Sequence, residues 1–69
     1  MGEYYLKARI KALGIKGKYL ISQLQKQGYD VNGADFSRAI NGKYQSAKME
    51  VLRRAIDELI CDIERKFNS

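Results

Sequence analysis

Sixty-nine residues, with 13 Lys and Arg against 8 Asp and Glu, give a net charge of +5 and a chain that contains no histidine and no proline. A chain this short buries only about 60% of the surface its unfolded form exposes, which allows one small core and no large substrate cavity. Lacking histidine, it has lost the commonest general base and metal ligand; its one cysteine, Cys61, can close no internal disulfide; and its basic balance favours a polyanionic partner, nucleic acid before an anionic membrane.

The first turns are interrupted by Lys7, Arg9 and Lys11, so they do not read as a signal peptide. Leu6 stands where an N-myristoylation motif needs Ser or Thr. Nowhere do about 18 apolar residues run together, so the expectation is a cytoplasmic protein with no membrane partner. The apolar spacing is helical throughout, and glycine supplies the punctuation. The first helix is predicted from about Glu3 to Leu13, with Leu6, Ile10 and Leu13 on one face and Gly14 as its C-cap. The second starts near Lys16 or Gly17 and ends near Gln27, carrying Leu20, Ile21 and Leu24 inward. Tyr29-Asp30-Val31 reads as a connecting turn anchored by Val31. The third helix has Asn32 as N-cap and Asp35 at N3, turns Phe36 and Ile40 inward, and stops at Asn41-Gly42.

The fourth helix differs in kind. From Ser46, a good N-cap, nothing breaks the pattern before Asn68, and Met49, Leu52, Ile56, Leu59, Ile60, Ile63 and Phe67 recur at steps of three and four. Roughly 20 residues at 1.5 Å each make a rod of about 30 Å, as long as a small domain is wide. One small core is not expected to cover so long a stripe, so Leu59, Ile60, Ile63 and Phe67 are assigned to a homodimer interface. On the exposed face, Glu50 with Arg54 and Asp62 with Lys66 are expected as supporting i,i+4 pairs. The expected fold is all-α: a small four-helix helix-turn-helix domain over residues 1–69, with a tri-helical part (1–45) and a long C-terminal packing helix (46–69).

Charge divides at the same boundary. Residues 1–45 hold eight Lys and Arg against Glu3, Asp30 and Asp35, which is the whole +5 excess, while residues 46–69 hold five of each sign. The front half is therefore expected to meet polyanion and the neutral helix to meet protein, with Asp57, Glu58, Asp62 and Glu64 as a solvated face. Cys61 reads as a small packing residue rather than a reactive thiol. Tyr4, Tyr5, Tyr19, Tyr29 and Tyr44 are too scattered for a stacking platform and read as core edge. No acid, base and nucleophile are spaced to form an enzyme site, and no metal or cofactor is expected.

The stretch Phe36-Ser37-Arg38-Ala39-Ile40-Asn41-Gly42-Lys43 resembles the end of the recognition helix and following loop of phage repressor and Cro-type (lambda repressor-like) domains. Leu6-Lys7-Ala8-Arg9 with Leu13-Gly14-Ile15 resembles the first helix and turn of that family, and Met49, Leu52 and Ile56 match its apolar positions after the loop. The chain also departs from the pattern. Lys16 and Gly17 stand where the family has Ser or Thr and then Gln, so a phosphate contact of the family is either lost or moved to Lys16 or Lys18. Ile21 occupies a position that is normally small, and Leu24 to Phe36 is a step of twelve, longer than usual. The resemblance implies a double-stranded DNA-binding transcriptional regulator that binds as a dimer, with third helices in major grooves about 34 Å apart.

The chemistry of the third helix follows from its own residues. With Phe36 and Ile40 inward, a step of about 100° per residue puts Gly33, Ala34, Ser37, Arg38 and Asn41 outside. Arg38 can present paired donors to guanine O6 and N7, worth about 1–3 kcal/mol of discrimination. Ser37 can reach a base edge or a phosphate, Ala34 only a thymine methyl, and the helix N-terminus at Asn32, Gly33 and Ala34 can take a phosphate. Lys16, Lys18, Lys43 and Tyr44 complete the DNA-facing set. Gly33 and Ala34 offer little to read. Either selectivity is low and partly read from shape, or this surface approaches another protein, as in an antirepressor or an inhibitor of a host protein.

Overall fold

The computed structural model describes residues 5–42 and 46–68, and these form four helices: α1 (Leu6–Leu13), α2 (Gly17–Lys26), α3 (Gly33–Asn41) and α4 (Ala47–Asn68). The all-α architecture with a long C-terminal helix is as expected from the sequence. The predicted start of the first helix at Glu3 lies outside the described residues.

Local chemistry sets the helix ends. At α3 the Asn32 side chain accepts the Asp35 backbone N–H at 2.8 Å, and at α4 the Ser46 hydroxyl accepts that of Met49 at 3.2 Å, each satisfying an otherwise orphaned donor. α2 closes on Gly28, whose φ of 96° is left-handed. Its N–H bonds the Gln25 carbonyl while that of Tyr29 reaches back to Leu24, which forms a Schellman motif and turns Tyr29 onto the core edge. The connection that follows is braced by Gln25, whose Nε2 donates to the Val31 carbonyl at 2.8 Å, and Val31 is buried.

The core is one cluster. Leu6 and Ile10 of α1, Leu20 and Leu24 of α2, Val31, and Phe36 and Ala39 of α3 pack onto Met49, Leu52, Ala55, Ile56 and Ile60 of α4. α4 packs on all three other helices, and α3 also touches both α1 and α2. The long axis of the molecule, 34 Å, is close to the length of α4, whose 22 residues span about 33 Å.

Packing corrects several expectations. Ile60, assigned to a dimer interface, is 0% exposed and belongs to the protomer core, because the faces of α1 to α3 extend further along α4 than its length suggested. Leu59 and Ile63 are half-buried against the same core, which leaves Phe67, at 69% exposure, as the surplus of the stripe. On α3 the inner pair is Phe36 and Ala39, with Ile40 only half-buried: a small residue at 39 lies against the core. Tyr5 and Tyr19 are exposed and only Tyr29 lies at the core edge, while Tyr4 and Tyr44 fall outside the described residues. Besides the i,i+4 pairs expected on α4, Glu50 lies 3.6 Å from Arg53 and Asp62 3.7 Å from Arg65, three residues on.

The small residue that lets α2 approach α3 is Gly17. A Cβ there would stand 3.3 Å from Cε2 of the buried Phe36 ring. Gly17→Val is therefore expected to pry α2 from α3 and to lower the unfolding free energy by about 1–3 kcal/mol. A urea titration measures this; an unchanged midpoint would show that the Phe36 ring yields freely.

Candidate nucleic-acid interface

The outward face of α3 consists of Gly33, Ala34, Ser37, Arg38 and Asn41, all exposed. It follows from the inner pair: once Phe36 and Ala39 turn to the core, the residues between and around them turn away. Nothing stands within 4 Å of the space a Gly33 side chain would fill, so the first turn of α3 presents almost bare backbone. Asn41, read from the sequence as a stop signal, also shares this face. Its Nδ2 donates to the Ser37 hydroxyl at 3.2 Å, which fixes two polar groups one turn apart.

Arg38 is half-exposed, and its guanidinium lies 3.7 Å from Asp35 one turn earlier. The other Asp35 oxygen accepts from Lys48 of α4 at 3.4 Å. The acidic residue before Arg38 was visible in the sequence as an i,i+3 neighbour. Its second cation was not, since nothing local ties position 48 to α3.

The remaining DNA-facing candidates fall into three groups. Lys16 and Lys18 are exposed and flank Gly17, whose contact with Phe36 sets this end of α2 beside the first turns of α3. Asn32 is committed to the Asp35 N–H, so its side chain serves as a cap, and the carboxylate of Asp35 competes with any phosphate arriving at that helix end. Lys43 and Tyr44 lie outside the described residues. Lys7, Lys11 and Lys26 are exposed on α1 and α2.

Arg9, counted in the basic excess of residues 1–45, turns to α4 instead. Its Nη1 donates to Asp57 at 2.5 Å and its Nη2 to Glu64 at 3.1 Å and to the Cys61 sulfur at 3.4 Å. The bond to Glu64, aided by Asp57 and opposed by burial, raises the guanidinium above its ordinary value, so Arg9 stays charged wherever the protein is folded. Asp57 and Glu64, expected as part of a solvated face, instead join α4 to α1. Cys61 sits half-buried inside this clamp.

Among the described residues, no group of three or more His, Cys, Asp or Glu is placed to hold a metal ion, and no helix is long and apolar enough to cross a membrane. Comparison with protein-family models, curated proteins and solved structures finds no match for this chain.

Charge-assisted bonds of this kind contribute more than solvated surface pairs. Arg9→Met is expected to lower the unfolding free energy by about 1–3 kcal/mol, at roughly 4–8 °C of melting temperature per kcal/mol for a domain of this size. Thermal denaturation followed by circular dichroism measures it, and an unshifted transition would show that the clamp is solvated.

Proposed function

We propose that this chain is a double-stranded DNA-binding transcriptional regulator of phage or mobile-element type, with α3 entering the major groove. The observation that carries the reading is the outer face of α3: an N-capped helix presents Ser37, Arg38 and Asn41 outward, beside a segment bearing Lys16 and Lys18. Small residues at its leading turn let the backbone approach DNA closely, and Arg38 is the side chain suited to guanine. The lysines around it supply phosphate contacts, which position the helix without reading sequence. The resemblance of residues 36–43 to phage repressor and Cro-type domains points the same way.

Fluorescence anisotropy with mixed-sequence duplexes at several salt concentrations tests this. Affinity is expected to fall linearly in log–log form by about 0.9 for each phosphate neutralised. Arg38→Ala is expected to weaken binding to the preferred duplex by roughly 5- to 150-fold, the equivalent of about 1–3 kcal/mol. Binding indifferent to salt, or none at low salt, would sink the reading.

We further propose that the functional unit is a homodimer joined through the end of α4. Leu59, Ile63 and Phe67 recur at i,i+4 on one side of that helix, and the exposed Phe67 ring is what the core leaves over. Phe67→Ser is expected to weaken self-association by about tenfold or more in analytical ultracentrifugation. A wild-type chain that remains monomeric at high micromolar concentration would refute the dimer.

One observation favours a second reading, a protein partner on the same face: Gly33 and Ala34 suit the close approach of a polypeptide as well as of a groove. Selection from a random duplex pool separates the two, since a protein-binding module would enrich no sequence.

A further inference from the structure

Asp35 borders the outward face of α3 on the side of α4, where a carboxylate stands close to a surface proposed to meet a polyanion. Its carboxylate is only 14% exposed and lies between two cations, Arg38 at 3.7 Å on its own helix and Lys48 at 3.4 Å on α4. Its backbone is held as well, because its N–H is bonded to the Asn32 side chain at 2.8 Å. The carboxylate is therefore anchored by two elements, while Arg38 is 51% exposed and reaches into solvent.

From this geometry we infer that Asp35 is a positioning and specificity-determining residue, which orients the Arg38 guanidinium toward a guanine edge and disfavours its use as a phosphate contact. The inference rests on the duplex-DNA reading above. An arginine on a solvated helix samples many rotamers, and a phosphate oxygen attracts it as readily as a base does. A carboxylate beside one edge of the guanidinium narrows that freedom. Five N–H donors are arranged in a planar fork, so drawing Nη1 toward Asp35 sets the direction from which that fork meets O6 and N7 of guanine. The same negative charge repels a phosphate that approaches Arg38 from the side of the helix N-terminus. Lys48 completes the device by drawing the second carboxylate oxygen toward α4, which ties the orientation of Arg38 to the packing of the two helices.

The test compares wild type with Asp35→Asn, which keeps the side-chain shape and removes the charge. Each is taken through selection from a random duplex pool. Each is then titrated with the enriched duplex, with the same duplex carrying 7-deazaguanine, and with an unselected duplex. The wild type is expected to lose about tenfold or more in affinity when N7 is removed at one step. Asp35→Asn is expected to lose most of that discrimination, to bind the unselected duplex more tightly, and to steepen the salt slope by up to about one. A purely structural role for Asp35 would weaken all duplexes alike and leave the 7-deazaguanine ratio untouched, and that result overturns the inference. So does a variant that enriches the same sequence with the same ratio as wild type.

Should Asp35→Asn lose its helical signal, Lys48→Met decides, because residue 48 is half-exposed and the carboxylate remains: a reduced 7-deazaguanine ratio supports the device and an unchanged one overturns it. Wild type that binds duplexes without enriching any sequence overturns this inference alone. Wild type that binds none overturns the DNA-binding reading with it.

Discussion

The whole fold depends on the apolar stripe of α4. α1, α2 and α3 have 8, 10 and 9 residues, shorter than the roughly 12–15 at which an isolated helix becomes even marginal in water. They are helical because each can dock two apolar side chains against the row from Met49 to Ile60. The outer surface is a consequence of that docking. Phe36 and Ala39 turn inward to reach the row, and so Ser37 and Arg38 have nowhere to point but out. A change in the α4 stripe would reach α3 through packing alone, without touching any residue of its exposed face.

Ion pairs then tie α4 to its neighbours at two places. Arg9 joins α1 to Asp57 and Glu64, and Lys48 joins α4 to Asp35 on α3. The equal count of charges on α4 is therefore not the mark of an inert solvated face. Three of its charged residues hold other helices in place, and Arg53 is buried. The basic excess of the front half becomes thinner and more local. Without Arg9, its described members are the exposed lysines of α1 and α2 and Arg38, with Lys16 and Lys18 standing beside α3 through the contact of Gly17 with Phe36. A localised excess is better suited to holding one helix in register on a charged partner than a diffuse one, because contacts that flank a reading surface constrain its orientation.

The long stripe also looks different once packed. Its surplus over one core is not four residues but mainly one ring, Phe67, with Leu59 and Ile63 already half covered. The self-association proposed here is accordingly confined to the last turns of α4, away from the residues that hold the three short helices. Such an arrangement would let two protomers join without disturbing the α2–α3 pair.

Features set by nearest neighbours were legible in the sequence. Asn32 and Ser46 cap the helices they precede, glycines end α1, α2 and α3, and the four helices fall where the apolar spacing put them, because capping and periodicity act within a turn or two of chain. The outward set on α3 followed from the same periodicity even though Ile40 was named where Ala39 does the packing. Features set by how helices cross were not legible. Arg9 meets partners 48 and 55 residues away. Gly17 rather than the residue at 21 admits the Phe36 ring, Ile60 is sealed inside one protomer, and Asp35 finds a second cation on α4. Composition could count these charges and apolar groups. Only the tertiary structure decided which of them meet, because crossing angles and burial arise from all four helices sharing one small core.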